Sequence, residues 1–373
     1  MGKRLWIFLL CLFTLAAVHD RRIPGASGAP LLQSARVVAI GDIHGDFDAF
    51  VGILERAQLV DTNRKWSGRN TTLVQTGDFL DRGPKTRAVI DLLMALQKDA
   101  PRQGSRVIVL MGNHEAMNIY GDLRYVTPGD YAGYVDNRSE NRRKSAYGAF
   151  AAMYAKAPPL SEDEWMKLHP PGFIEHREAF GPDGRYGKWL RTLPAVARVD
   201  DSIFLHGGIH PDFASWTVDK INEGVRAEVK AFDAYKKFMV DEKIALPFFT
   251  LDELASVART AVEKKFDALK DFIGLGGWLS IHPDGPLWFR GYAEWTDAEG
   301  APRIQRLAEG FGVSRFVVGH TPQAGRIAAR FGGKVYLIDT GMLSSYYAGG
   351  RATALNIQDG KVSEISEQGN SGL

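Results

Sequence analysis

The chain has 373 residues, 45% of them hydrophobic and 11% aromatic, with 46 basic residues against 44 acidic ones. Such a length allows one large globular domain or two ordinary ones, and the near-balance of charge argues against nucleic acid or an anionic membrane as the main partner. The single cysteine, Cys11, excludes an internal disulfide and a thiolate-based zinc site, and argues against a cysteine nucleophile.

The first segment reads as an export signal. Lys3 and Arg4 form a basic start, and residues 5–18 are continuously apolar, a run shorter than the ~20 residues of a membrane-spanning helix. Ala16-Ala17-Val18 and Ala26-Ser27-Gly28 both offer small residues for cleavage. An uncleaved anchor or a mistaken start codon is the competing reading, and a lipoprotein site at Cys11 is disfavoured by the Leu10 before it. We expect residues 1–28 to be a signal peptide, 29–35 a linker, and the protein to be periplasmic or secreted.

Ordered structure is predicted to begin with the strand Arg36-Val37-Val38-Ala39-Ile40, which runs into Gly41-Asp42-Ile43-His44-Gly45-Asp46 and a helix with Phe47, Phe50, Val51 and Leu54 on one face. A second strand near 72–75 opens onto Gly77-Asp78-Phe79-Leu80-Asp81-Arg82-Gly83, with a helix carrying Val89, Leu92, Leu93 and Leu96 behind it. A third, Arg106-Val107-Ile108-Val109-Leu110, ends in Gly112-Asn113-His114-Glu115. Strand, polar loop and helix three times over predict βαβ units and parallel strand pairs. Residues 116–190, broken by Pro158-Pro159 and Pro170-Pro171, read as short helices and loops over the sheet. The strand Ser202-Ile203-Phe204-Leu205 ends in His206-Gly207-Gly208. Two long helices follow, one showing Ile221, Val225, Val229 and Phe232, the other starting with a Thr250–Glu253 capping box and continuing through Leu254, Val257, Ala261 and Val262. Strands are predicted again near 315–318, 334–338 and 352–357. The whole reads as one catalytic domain over 36–373, with insertions at about 116–195 and 211–285.

Each strand-end loop contributes a metal-type ligand. Asp42 and His44 flank one residue, Asp78 and Asn113 come from the next two loops, His206 ends a fourth strand, and His320 follows the apolar run Val317-Val318-Gly319. Carboxylate, amide oxygen and imidazole together suit Mn, Fe or Zn better than Ca. Six ligands with Asp78 shared is what a two-metal site requires, with ions roughly 3.5–4 Å apart. Asp81 and Arg82 sit one turn further out, where a substrate anion would arrive. Any single piece also reads as a salt-bridged turn or a hydrogen-bonded core histidine; five pieces at five strand ends do not.

These motifs, Asp42-x-His44, Gly77-Asp78-x-x-Asp81-Arg82-Gly83, Gly112-Asn113-His114-Glu115, His206-Gly207-Gly208 and Gly319-His320, resemble the calcineurin-like metallophosphoesterases over about residues 36–345. The Asp81-Arg82-Gly83 continuation is similar to the phosphoprotein phosphatase branch. Leu80, Met117-Asn118, Pro286-Leu287-Trp288-Phe289-Arg290 and Asp339-Thr340-Gly341 look most like the Shewanella-like protein phosphatases. Where the eukaryotic serine/threonine enzymes carry a Ser-Ala-Pro-Asn-Tyr-Cys-like element, this chain has Asp339-Thr340-Gly341-Met342-Leu343, so phosphotyrosine and phosphoserine/threonine both stay open as substrates.

The resemblance implies an α/β metallophosphoesterase fold, with mixed sheets forming a β-sandwich core flanked by helices. It implies two divalent ions, one on Asp42, His44 and Asp78, the other on Asp78, Asn113, His206 and His320, with a bridging hydroxide attacking the phosphorus of a phosphorylated protein or peptide. Arg82 and Arg290, with Asn113, would bind the phosphate; His114 would protonate the leaving oxygen while Asp81 holds its imidazolium. Glu115 is expected to support the ligands, and His169, His176, His210 and His282 to make surface or supporting hydrogen bonds. Two alternatives compete. A diadenosine-tetraphosphate hydrolase is disfavoured by the long insertions, and a non-catalytic metal-binding protein by the intact Asp81, Arg82 and His114. A membrane would be met only through an uncleaved N-terminal segment.

Overall fold

Strand β1 (Arg36–Ile40) lies parallel to β2 (Thr71–Gln75), with Val38 opposite Leu73, and β2 lies parallel to β3 (Arg106–Val109). The expected βαβ units are therefore present, closed by helices α1 (Phe47–Arg56) and α2 (Thr86–Asp99). A second sheet is built from β4 (Val196–Val199), β5 (Ser202–Leu205), β6 (Arg315–Val318), β7 (Ala328–Arg330) and β8 (Val335–Leu337), in the order β4-β5-β6-β8-β7. In it β5, β6 and β8 form another parallel trio, flanked by antiparallel edges. The chain then returns to the first sheet with β9 (Ala354–Gln358), β10 (Lys361–Ser366) and β11 (Gly369–Gly372), giving β11-β10-β9-β1-β2-β3. This computed structural model describes residues 36–154, 158–263 and 266–373; the expected signal peptide and linker lie outside them.

Alternation along the strands decides what each sheet faces. Val37 and Ala39 of β1 and Val74 of β2 share a dry cluster with Phe204, Val317 and Tyr336 from the other sheet. Their neighbours Val38, Ile40 and Leu73, and likewise Ile203, Leu205, Phe316 and Val318, point the other way into the core that the helices cover. Both faces of β1, β2, β5 and β6 are largely buried, which is why these strands read as continuous apolar runs rather than as alternation. The outcome is two mixed sheets face to face with helices outside.

The two insertions form one helical layer. Asn113–Tyr120 (α3) packs on the long helix Val218–Asp241 through Tyr120 and Phe232, whose rings lie 4.8 Å apart. Phe150 of Ser139–Met153 and Trp165 of Glu162–Leu168 meet Phe249 and Phe248 of the second insertion. The Thr250–Glu253 box is formed, with Thr250 N–H and Oγ1–H both donating to Glu253 Oε2 at 2.7 and 2.8 Å. Surface or supporting hydrogen bonds were expected of His169 and His176; His169 Nδ1 makes a buried one to Trp165 O at 2.8 Å, while His176 Nδ1 has none. Both are buried, His169 stacked on Trp165 at 4.0 Å and His176 on Phe180 at 4.3 Å. Among the described residues no helix is long and apolar enough to cross a membrane.

Candidate active site

The carboxyl ends of the two parallel trios open at the same edge of the sandwich, and the loops there bend sharply. His44, Asp78, Asp81, Arg82 and His320 all adopt positive φ, between 47° and 67°. Such conformations cost of order 1–3 kcal/mol each for residues with a side chain, and persist where surrounding structure holds them. Here the β1 loop is tied to the β2 loop by Ile43 and His44 N–H, which both donate to Asp78 O at 2.9 and 3.0 Å. Buried Glu115 of α3 gathers the β2 loop from the other side. Its two oxygens accept from the backbone N–H of Asp78, Phe79, Leu80 and Gly112 at 2.7–3.2 Å. Burial and then the Asp78 charge push the Glu115 carboxyl up to about 8, while the N–H donors pull it down. All four partners are donors, so only the ionised form satisfies them.

The structure brings together all six residues expected to hold metal. His206 Nδ1 lies 3.0 Å from Thr76 O, and a carbonyl only accepts, so the ring proton sits there and Nε2 is bare. That bare nitrogen is 2.9 Å from Asn113 Oδ1, 3.2 Å from Asp78 Oδ2 and 3.1 Å from His320 Nδ1. One ring proton on His320 could bridge a single one of these contacts. The remainder is a convergence of lone pairs that repels itself until a cation enters. On the other side of Asp78, His44 Nδ1 donates to Leu80 O at 2.9 Å, and its Nε2 faces Asp78 Oδ2 at 3.8 Å and Asp42 Oδ2 at 3.9 Å. Burial holds both His44 and His320 well below the usual imidazole value, keeping them in the neutral, ligating form. Asp78 stands between the groups. Burial would raise its carboxyl, but protons on the rings around it, His206, His114 and His44, pull it well below the ordinary range; with His206 Nε2 bare and His44 neutral, that pull is left to His114 until a cation enters. Two clusters of carboxylate, imidazole and amide oxygen sharing one carboxylate fit a pair of divalent cations, the one with His44 once the Arg82 N–H leaves His44 Nε2.

Two glycines make room for the carboxylates. A Cβ on Gly112 would lie 2.3 Å from Asp78 Oδ1, and one on Gly319 would lie 2.4 Å from Asp42 Oδ1.

Asp339, which follows β8 as Asp42 follows β1, was missed as a site residue by sequence reasoning. It is fully buried against Asp42; burial raises Asp339 to about 6, and burial, then the charges of Asp339 and Asp78, raise Asp42 well above the carboxylate range. Its Oδ2 has no hydrogen-bond partner. The available signal was the rule that found the other ligands, an apolar strand running into an aspartate.

His114 and Asp81 are paired as expected, with Nδ1 2.6 Å from Asp81 Oδ2. Asn118 donates to the other Asp81 oxygen and to His114 O, each at 2.9 Å. His114 Nε2 is left 3.7 Å from Asp78 Oδ2. Burial alone would lower this imidazole, but the Asp78 charge and the Asp81 hydrogen bond outweigh it and hold it above its usual value.

Arg82 reaches across the opening. Nη1 donates to His44 Nε2 at 2.5 Å and to the Tyr347 hydroxyl, and the guanidinium lies over the rings of Tyr125, Tyr346 and Tyr347 at 5.0–5.6 Å. Tyr125 and Tyr346 are exposed, at 36% and 54%. Arg290 also reaches the site. Its Nη1 donates to His320 O at 2.8 Å and Thr321 Oγ1 at 3.1 Å, and Trp288 packs edge-on against the His320 ring.

With this geometry the known relatives agree. Residues 35–324 match the calcineurin-like phosphoesterase family. Shewanella-like protein phosphatase 1 of Plasmodium berghei is 27% identical over 89% of this chain and 74% of its own length. Shewanella-like protein phosphatase 2 of Arabidopsis thaliana is 32% identical over 53% of this chain and 52% of its own. The crystal structure of a cold-active protein-tyrosine phosphatase from a psychrophilic Shewanella superposes with a TM-score of 0.60 at 26% identity, covering 91% of this chain and 80% of that one. The family uses divalent metal ions, and the His and Asp groups to hold them are in place. The chain belongs to the calcineurin-like phosphoesterases, and within them it is similar to the Shewanella-like protein phosphatases.

Proposed function

We propose that this chain is a metal-dependent protein phosphatase that prefers phosphotyrosyl peptides. The observation that carries the reading is the placement of the His114–Asp81 pair and two arginines around a shared carboxylate flanked by two clusters of metal-type ligands. One ion would be held by Asp42, His44 and Asp78, with Asp339 beside them, and the other by Asp78, Asn113, His206 and His320. When bound, such ions supply positive charge to the phosphoryl oxygens and lower the pKa of the attacking water.

The remaining steps belong to the protein's own groups. Arg82 and Arg290 offer N–H donors to phosphate oxygens; Asn113 lies next to both and is a lesser candidate for the same contact. His114, held above its usual value by the Asp78 charge and the Asp81 hydrogen bond, offers a proton on Nε2 to the leaving oxygen. Asp81 keeps the Nδ1 proton and so fixes which nitrogen delivers, and Asn118 fixes Asp81. The preference for an aryl ester is supported by the exposed Tyr125 and Tyr346 beside Arg82, which offer ring faces to a phosphotyrosine. The Shewanella protein-tyrosine phosphatase supports it from likeness.

Steady-state kinetics on phosphotyrosyl, phosphoseryl and phosphothreonyl peptides and on diadenosine tetraphosphate, with Mn, Fe and Zn supplied in turn, test this. The phosphotyrosyl peptide should give the highest kcat/KM. A phosphoseryl peptide turned over faster overturns the preference, and faster cleavage of the dinucleotide overturns the reading as a whole.

A further inference from the structure

The helical insertions enclose a second cavity, of about 1220 Å³, which none of the site residues named above lines. Its walls come from Ser139–Met153, Phe173–Phe180, Val218–Asp241 and residues 246–248. Three of its eight charged residues are in ion pairs. Arg142 pairs with Asp136 and Glu175, Lys237 with Asp241, and Asp233 with Arg191. Arg138, Glu178 and Asp183 stand exposed at the rim.

Two cations deeper in the cavity have no carboxylate in ion-pair contact. Arg177 is buried, at 5% exposure, with Nε unpartnered and Nη1 donating to Asn118 O at 3.0 Å. Lys236 is half-buried on the neighbouring helix. Burial lowers Arg177 to about 10, and burial followed by the Arg177 charge holds Lys236 well below its ordinary value. The charges of Asp233 and Glu253 offset this only in part, and like charges in low dielectric with no carboxylate in contact are costly. An apolar stretch of the wall, Ile174, Val240, Leu246 and Phe248, faces the same space, with Asn141 and Ser145 as its uncharged polar side chains.

We propose that this cavity binds a small amphiphilic anion, its acid group between Arg177 and Lys236 and its hydrocarbon against Ile174, Val240, Leu246 and Phe248. A carboxylate or a phosphonate head satisfies the two cations alike; the apolar wall requires the tail. Arg177 also gives the site a route to the catalytic pair, because the Asn118 whose carbonyl it holds donates to Asp81.

Isothermal titration of octanoate and of octylphosphonate into the full chain tests the proposal, with acetate as the tail-less control. Two variants outside the catalytic groups serve it. Lys236→Met removes a cation, and Ala149→Trp fills the mouth from an exposed position. Saturable binding of either long anion, weakened at least tenfold in both variants while basal turnover stays unchanged, is the expected result, and the anion that binds identifies the head group. The proposal is overturned if neither long anion shows binding sensitive to both variants, or if acetate binds as tightly as octanoate.

Discussion

His114 has one nitrogen committed to Asp81 and one left for chemistry, so its loss and the loss of a ligand should look different. His114→Asn is expected to retain metal, measured by elemental analysis, while turnover falls by roughly 10²–10⁴, the usual weight of general acid catalysis. The loss should shrink for a nitrophenyl ester, whose leaving group scarcely needs a proton; equal losses for nitrophenyl and alkyl esters would remove His114 from the role. Because the imidazole is held above its usual value, wild-type kcat should decline only above that range as the proton is lost, and the Asn variant should lack this limb. Arg290 was the least legible of the expected residues, since an arginine after Trp288-Phe289 reads equally well as a surface stack. The structure instead sets it against His320 O. Arg290→Ala should weaken phosphate inhibition and lower kcat/KM by about 2–4 kcal/mol while sparing metal. Arg290→Lys should recover only part, because an ammonium cannot make paired bonds. An alanine variant with normal phosphate inhibition would dismiss Arg290 from substrate binding.

At the scale of elements, the ligand loops were legible because each follows a short apolar run, and such runs are the plainest pattern a sequence carries. Strands β4, β7, β10 and β11 were not. β10 mixes Lys, Ser and Glu with its apolar residues, and β11 is Gly-Asn-Ser-Gly with every residue exposed, so neither shows a face to be buried. The buried His169 and His176 had a signal that went unused, since each has its stacking partner four residues away on the same helical turn, Trp165 and Phe180. Glu115 shows how one helix position controls a neighbouring loop. Glu115→Gln keeps the shape but turns an amide NH₂ toward backbone donors. It should cost about 2–3 kcal/mol in denaturant unfolding and lower metal affinity, because Asp78 loses its anchor. A variant as stable as wild type would mean that Glu115 is protonated in the native state.

For the whole molecule, the β-sandwich of two mixed sheets was expected from the family resemblance of the strand-end motifs and is what the structure has; the strand pattern alone does not show the split. Repeated strand-loop-helix units look the same whether six parallel strands lie side by side or in two facing trios. The division shows in the hydrogen bonds that cross it. His206 of the second sheet bonds Thr76 O of the first, and His320 N–H donates to Asp42 Oδ1 at 3.1 Å. Export remains a proposal of the N-terminal pattern alone. Residues 1–35 fused to a reporter active only outside the cytoplasm should give signal, and a silent fusion would reject it.

Because the ligands are drawn from both sheets, the metal pair would act as a clasp on one edge of the sandwich as well as a catalyst. Asp42, Asp78 and Asp339 are buried close together, and without cations their mutual repulsion falls on the loops that join the two layers. Chelation should therefore do more than silence the enzyme. Hydrogen exchange on the chelated protein is expected to quicken first in the loops after β1, β2, β5 and β6, while β9 and β10 at the far side of the first sheet stay protected. Restoring Mn, Fe or Zn at a hundred times its dissociation constant should return about 2.7 kcal/mol for each ion bound. Uniform quickening across both sheets would show that the ions support the molecule as a whole and not its seam.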